Sequence, residues 1–489
     1  MLCAPTAPTA LRTTGELPVT DAQTTSSFVS TFWDEHIVPT ITDYIRIPNK
    51  SPSFDANWEA NGHMEEALQL SLAWLEKHPV PGMKVDVGRL EGRTPMILVD
   101  VPAVGDSTGT ILMYGHLDKQ PEMTGWREDL GPWKPVYEDG KLYGRGGADD
   151  GYALFASVCS LLALGEQGVS RARVVLMIEF SEESGSPDLP AYVDHYKEVI
   201  GTPDLVVCLD SGAGNYDQMW STTSLRGIIG GTLDVQVLRE GVHSGDASGV
   251  VPSSFRVART MLSRLEDPDT GRILPKALWG EIPEDRARQA ARAGESLGAQ
   301  VYQRFPWAGE MQPTDTTPTE CVLNRTWRPA LSITGIDGVP STSSAGNVLR
   351  PHTSLKLSLR LPPSVNADDA AGILTDLFTQ DVPYGAEVTV DFGDAATGWN
   401  APPLAAWLEE TLDAASETYY GKPCLHMGEG GSIPFMGMLN EKFPEAQFVV
   451  TGVLGPNSNA HGPNEFLHVP YAKKLTACIA HVLEAHGKR

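Results

Sequence analysis

Unbroken apolar runs bounded by turn residues alternate with stretches of helical spacing through the first half of this chain. Ser27 to Arg46 and Met64 to Lys77 carry apolar residues three and four apart, the spacing of one helical face. Short apolar runs follow at Thr110 to Tyr114, Arg173 to Phe180 and Asp204 to Leu209, and another returns at Gln447 to Val453. They are apolar on both alternations, as strands covered on both faces must be, and Gly151 to Leu164 between the first two reads as a helix. Strands alternating with helices imply an α/β fold with a mostly parallel, mixed sheet flanked by helices.

From about Trp220 the pattern changes. Ile228 to Val237 and Ser354 to Leu361 alternate apolar with polar residues, as strands exposed on one face do, around a helical stretch at Pro283 to Gln303. This predicts a second, α+β unit. Because a parallel-type strand returns near Gln447, that unit is expected as an insertion over 220–393, between a first part at 27–219 and a second part at 394–489.

Composition sharpens this picture by exclusion. A chain of 489 residues exceeds one ordinary core, which agrees with two units. With 37 basic and 62 acidic residues its net charge is -25, which repels phosphate backbones and anionic membrane surfaces, so neither nucleic acid nor membrane is expected as a partner. No segment approaches the roughly 20 continuous apolar residues of a membrane span. The six cysteines, Cys3, Cys159, Cys208, Cys321, Cys424 and Cys478, are scattered without a C-x-x-C pair and read as reduced thiols. Residues 1–26 are rich in Thr, Ala and Pro and lack a basic start or an apolar run, so a disordered leader and a cytoplasmic address are expected.

Five candidate metal ligands sit just after an apolar run or at a turn opening a helix. His116 lies in Tyr114-Gly115-His116-Leu117-Asp118, Asp149 in Gly146-Gly147-Ala148-Asp149-Asp150, and Glu183 in Ser181-Glu182-Glu183-Ser184-Gly185. Asp210 ends Val206-Val207-Cys208-Leu209-Asp210, and His461 follows the run that closes at Val453. In an open α/β sheet the carboxyl ends of strands converge on one crevice, which would bring these loops together. Two imidazoles and three carboxylates suit a pair of zinc-like ions with one carboxylate bridging, a hydrolytic arrangement. Glu182, adjacent to a ligand, is placed to act as general base, and Asp118 to orient the His116 imidazole.

In combination these motifs resemble the aminoacylase, carboxypeptidase and dipeptidase family of co-catalytic zinc metallopeptidases, particularly its longer, carnosine-dipeptidase-like members. The resemblance covers nearly the whole chain after the leader. It implies a catalytic domain in two parts and an inserted dimerisation, or lid, domain. It implies two divalent metal ions per subunit, most often Zn2+ with Mn2+ or Co2+ as substitutes. His116 and Asp210 would lie on opposite metals, Asp149 would bridge, Glu183 and His461 would complete the shells, and Glu182 would be the base. His243 in Val242-His243-Ser244-Gly245 resembles the histidine that reaches the other subunit's active site, which implies a homodimer. Asn347, Arg360 and Ser432 match substrate-contacting positions, Arg360 being suited to a substrate carboxylate. One departure is plain: Gly151 follows Asp149-Asp150 where many members carry lysine.

The function so implied is hydrolysis of the amide bond of dipeptides or similar small peptides, with carboxypeptidase and N-acyl amino acid deacylase activity as alternatives. Other readings explain less. Gly105-Asp106-Ser107-Thr108-Gly109 satisfies the serine-hydrolase G-x-S-x-G pattern but precedes a strand instead of following one. His116, Asp118 and His461 imitate the triad of a mononuclear iron oxygenase, yet that reading leaves Asp149, Glu182, Glu183 and Asp210 without a role. A non-catalytic metal-binding scaffold would have no use for Glu182.

Overall fold

The computed structural model describes residues 19–489. The leader reading for 1–18 lies outside them. Within the rest of that stretch, helix Ala22–Phe32 starts before residue 26, because the Asp21 side chain caps it by accepting from the Thr24 N–H. The helical run then passes through one wider turn at Trp33–Ile37, where the Val38 N–H reaches back to the Trp33 carbonyl, and continues as Val38–Ile45. Pro39, which has no N–H to donate, sits in the first turn of that last piece.

The main sheet has six strands: β1 (Lys84–Gly88), β2 (Met96–Val101), β3 (Thr110–His116), β4 (Arg173–Glu179), β5 (Leu205–Cys208) and β6 (Gln447–Val450). Their spatial order is β1-β2-β4-β3-β5-β6. Pairings β3–β4, β3–β5 and β5–β6 are parallel, whereas β1–β2 and β2–β4 are antiparallel. The mixed, mostly parallel α/β sheet read from the sequence is therefore present. Alternate residues of its strands feed two separate cores. Ile111, Met113, Val174 and Leu176 pack with helices Ala153–Glu166 and Val469–Gly487, while Leu112, Tyr114, Val175 and Met177 pack with Tyr192 and Phe435. Burial on both faces is why these strands read as continuous apolar runs.

A second unit is built on a four-stranded antiparallel sheet in the order Ala330–Asp337, His352–Leu361, Gly227–Gln236, Glu387–Ala396. Leu233, Val235, Leu355 and Leu357 on its inner face meet helices Ser254–Leu265 and Ala367–Thr379 in a core of their own. The helical stretch read at 283–303 belongs elsewhere. Helices Glu284–Leu297 and Pro318–Thr326 bury Ala290, Ala293, Val322 and Leu323 in the large core shared with Trp220 and Met427. Among the described residues no helix is long and apolar enough to cross a membrane.

Candidate metal centre and active site

Parallel strands end on one side of the sheet, so the residues that follow them are gathered there. His116 closes β3, Glu182 and Glu183 form the turn just after β4, and Asp210 lies two residues beyond β5. Asp149 is delivered by the turn that precedes helix Ala153–Glu166, across a cis Asp149–Asp150 peptide. His461 arrives on the loop after β6. All five predicted ligands and Glu182 meet around Asp149. One Asp149 oxygen is 3.3 Å from His116 Nε2, and the other is 3.0 Å from His461 Nε2.

Glu183 stands 3.3 Å from His461 Nε2, and Asp210 stands 3.7 Å from His116 Nε2. The cluster therefore has two halves joined by Asp149: His116 with Asp210, and His461 with Glu183. His116 and Asp210, expected on opposite metals, have ligating atoms 3.7 Å apart.

Electrostatics favour cations here. His116 is fully buried, and Asp149 and Asp210 nearly so. Burial, then the charge of Asp210, pushes the Glu182 carboxyl up, and burial, then Asp149, does the same to Glu183. Burial works against a proton on His116, but Asp210 and the neighbouring carboxylates override it and raise its pKa. Four carboxylates crowd two imidazoles, a donor set of hard oxygens and nitrogens that suits divalent ions of the zinc type.

Asp118 has more to do than the sequence suggested. One oxygen lies 3.3 Å from His116 Nδ1, as an orienting carboxylate should. The same carboxylate accepts the backbone N–H groups of Glu182 at 3.0 Å and Glu183 at 2.9 Å. It thus sets the histidine of one loop against the acid pair of another. Gln120 adds a 2.6 Å hydrogen bond to Glu183.

Two positioning residues were not found in the sequence. Arg145 and Glu465 form an ion pair that is essentially inaccessible to water. Arg145 also donates to the carbonyls of His461 and Gly462, each at 2.9 Å, while Glu465 accepts the Gly146 N–H at 2.8 Å. Together they tie the Asp149 turn to the His461 loop and hold His461 at φ +63°, a conformation that non-glycine residues rarely adopt. Arg145 lies four residues before Asp149, but Glu465 gave no local signal.

The missing lysine also has a physical account. A Cβ at Gly151 would come within 2.3 Å of the Tyr44 ring and 2.5 Å of the Gly146 carbonyl. Lys119 is fully buried against the same ring. Its Nζ donates to the carbonyls of Tyr44 and Ile47 at 2.7 Å and lies 3.7 Å from the Tyr44 ring centre.

A cavity of about 300 Å³ opens over the cluster, lined by Asp149, Glu182, Asp210 and His461 on one side and by Glu429, Ser432, Arg304 and Arg325 on the other. Arg360 reaches its edge by donating to Ser432 Oγ at 3.2 Å. His243 and Asn347 are not brought there. They share an exposed two-stranded ribbon, Val242–His243 against Val348–Leu349, in which the Ser244 N–H donates to the Asn347 carbonyl at 2.9 Å. His426 is buried in strand Leu425–Glu429 and does not line the cavity.

Residues 112–485 match the model of peptidase family M20/M25/M40. The chain belongs to that family. As an M20 peptidase it is a metallopeptidase. It is 28% identical over 436 residues to the cysteinylglycine-S-conjugate dipeptidase of Corynebacterium striatum, covering 87% of this chain and 90% of that one. Its fold matches the di-peptidase Dug1p from Saccharomyces cerevisiae with a TM-score of 0.76 at 20% identity, over 96% of this chain and 99% of that one. For human carnosine dipeptidase 1 the TM-score is 0.75 at 21% identity, over 96% and 100%.

Proposed function

We propose that this M20 peptidase is a homodimeric dipeptidase that works with two divalent ions per subunit, zinc before manganese or cobalt. His116 and Asp210 would hold one ion, His461 and Glu183 the other, and Asp149 both. The observation that carries this reading is the Asp149 carboxylate, which offers one oxygen to each histidine-bearing half of the cluster. Bound there, the ions would acidify a water molecule and polarise the scissile carbonyl.

The protein's own groups do the rest. Glu182 lines the cavity, takes the proton of the attacking water and returns it to the leaving amine. Asp118 keeps Glu182 and His116 in register through the bonds described above. Arg360, backed by Ser432, pairs with the substrate's terminal carboxylate. His243 and Asn347 cannot serve the cavity of their own chain from the exposed ribbon, and we assign them to the cavity of a second subunit, where His243 would stabilise the oxyanion.

Dipeptides are favoured as substrates by the small cavity and by the named activities of the relatives. Carboxypeptidase and N-acyl amino acid deacylase activity are the alternatives within the family. Nucleic acid and membrane are not partners in this reading, consistent with the net charge of -25. A cytoplasmic location fits the free thiols at Cys159, Cys208, Cys321, Cys424 and Cys478.

The test is a panel of dipeptides, N-acyl amino acids and longer peptides, assayed after metal removal and after reloading with Zn2+, Mn2+ or Co2+. Dipeptide hydrolysis that saturates at two ions per chain is expected. Faster cleavage of N-acyl amino acids, or of long peptides from the carboxyl end, would replace the dipeptidase reading by one of its alternatives.

A further inference from the structure

The cavity over the metal cluster shares its far wall with a second space. Arg304 and Arg325, which form part of that wall, also line a second cavity of about 430 Å³. The remaining polar lining of this second space consists of the amides Gln300, Gln303 and Asn457, and no aspartate or glutamate is among the described residues that line it. In a chain with 62 acidic and 37 basic residues, such a surface is unusual.

The arginines at the junction are short of partners. Arg325 lies in helix Pro318–Thr326, with Nη2 3.3 Å from the Met427 sulfur and a buried Nε that has no hydrogen-bond partner among the described residues. Arg328, one turn further along, is by contrast paired with Glu320 at 2.7 Å. Arg304 is exposed as a residue, yet its guanidinium is enclosed enough that burial, then the like charge of Arg325, pulls its pKa down to about 10. Beneath them Arg226, buried, donates only to carbonyl groups, those of Gly430, Asn324 and Arg328. Burial, then the charges of Arg360 and Arg325, brings it to about 9. Glu429 is the carboxylate that faces this group.

Like charges gathered around a shielded space oppose one another until an anion joins them, and a guanidinium fork fits a carboxylate in particular. Resting on the dipeptidase reading above, the geometry points to Arg304 and Arg325 as a second anion-binding subsite, selecting small peptides that carry an acidic side chain besides their terminal carboxylate. Arg360 and Ser432 hold the terminal group. The side chain enters the second cavity between the two arginines, where the amides of Gln300, Gln303 and Asn457 add neutral hydrogen bonds.

The experiment compares kcat/KM within isosteric pairs, Ala-Glu with Ala-Gln and Glu-Ala with Gln-Ala, for the metal-loaded wild-type enzyme and for Arg304→Gln, Arg325→Gln and Arg325→Lys. Wild type is expected to prefer the acidic member of at least one pair by about tenfold or more, as charge-assisted bonds to a carboxylate provide. Each glutamine variant should bring that ratio to within about threefold of unity, mainly through KM, and Arg325→Lys should restore part of it. A purely structural role would slow both members of a pair alike and leave their ratio standing, which overturns the subsite. A wild-type ratio near one overturns it too. If no dipeptide, acidic or neutral, is hydrolysed while N-acyl amino acids or long peptides are, the dipeptidase reading fails and takes the subsite with it.

Discussion

The metal cluster and the ribbon that carries His243 present polar side chains in opposite ways. Most groups of the cluster are enclosed, His461 being the exception with half of its side chain open, and neighbours within the chain account for their positions: Asp118 for His116 and the acid pair, Arg145 and Glu465 for His461. On the ribbon His243 is exposed, and its ring accepts a hydrogen bond from the nearby Gly245 N–H. Buried polar groups must be satisfied inside the fold, so their purpose can be read from a single chain. An exposed imidazole carries no such record within its own chain.

The strongest test of the enclosed side of this contrast is Glu182→Ala. As general base, Glu182 is expected to contribute roughly 10²–10⁴-fold to kcat, while the ligand set remains complete. Loss of turnover with two ions still bound, by elemental analysis, is the expected outcome; near-normal rates would remove Glu182 from the mechanism. Arg145→Ala asks whether the buried pair positions His461. Removing one member of a buried pair costs about 3–5 kcal/mol, and here it should also weaken metal binding measured by competitive chelation. A stability loss without any change in metal affinity would reduce the pair to a structural brace.

His243→Ala probes the exposed side. Loss of an oxyanion donor lowers kcat by about 10²–10³-fold. Mixed with Glu182→Ala subunits under exchange conditions, it should regain activity, because one heterodimer site then contains both wild-type groups. Absence of recovery after verified exchange would return His243 to its own chain.

The smallest effect concerns Glu179, at the end of β4 behind the cluster. Burial pushes its carboxyl up to about 7, although the Tyr114 and Ser186 hydroxyls donate to it. Folded, it keeps its proton to about pH 7; unfolded, it releases it near pH 4.3. Its stabilising contribution is thus complete below about pH 4.3 and lost as pH rises through 7, a change of about 4 kcal/mol at most. Urea unfolding of the metal-free protein should show lower stability at pH 7.5 than at pH 5, and Glu179→Gln should flatten that slope. An unchanged slope in the variant would assign it to other groups.

The same contrast explains what was legible in the sequence. Strands β3 to β6 were visible because both of their faces are buried, and the ligands were visible because each follows such a run or opens a helix. Strand Trp220–Leu225 was not, since its buried Ser221, Thr222, Thr223 and Ser224 resemble a polar loop. Helix Glu284–Leu297 showed an apolar face, but a face does not say which core receives it. The Arg145–Glu465 pair spans 320 positions, and no local pattern announces a partner so distant. Nothing in the sequence around Arg304 and Arg325 marks the cavities they line.

Gly151, Tyr44 and Lys119 together limit what position 151 can carry. A side chain at 151 collides with the Tyr44 ring, yet Tyr44 holds Lys119 through its carbonyl and bonds its hydroxyl to Leu117, next to His116. A side chain at 151 would displace that ring and with it the bond to Leu117. A lysine introduced at 151 would bring a clash with the Tyr44 ring and the Gly146 carbonyl.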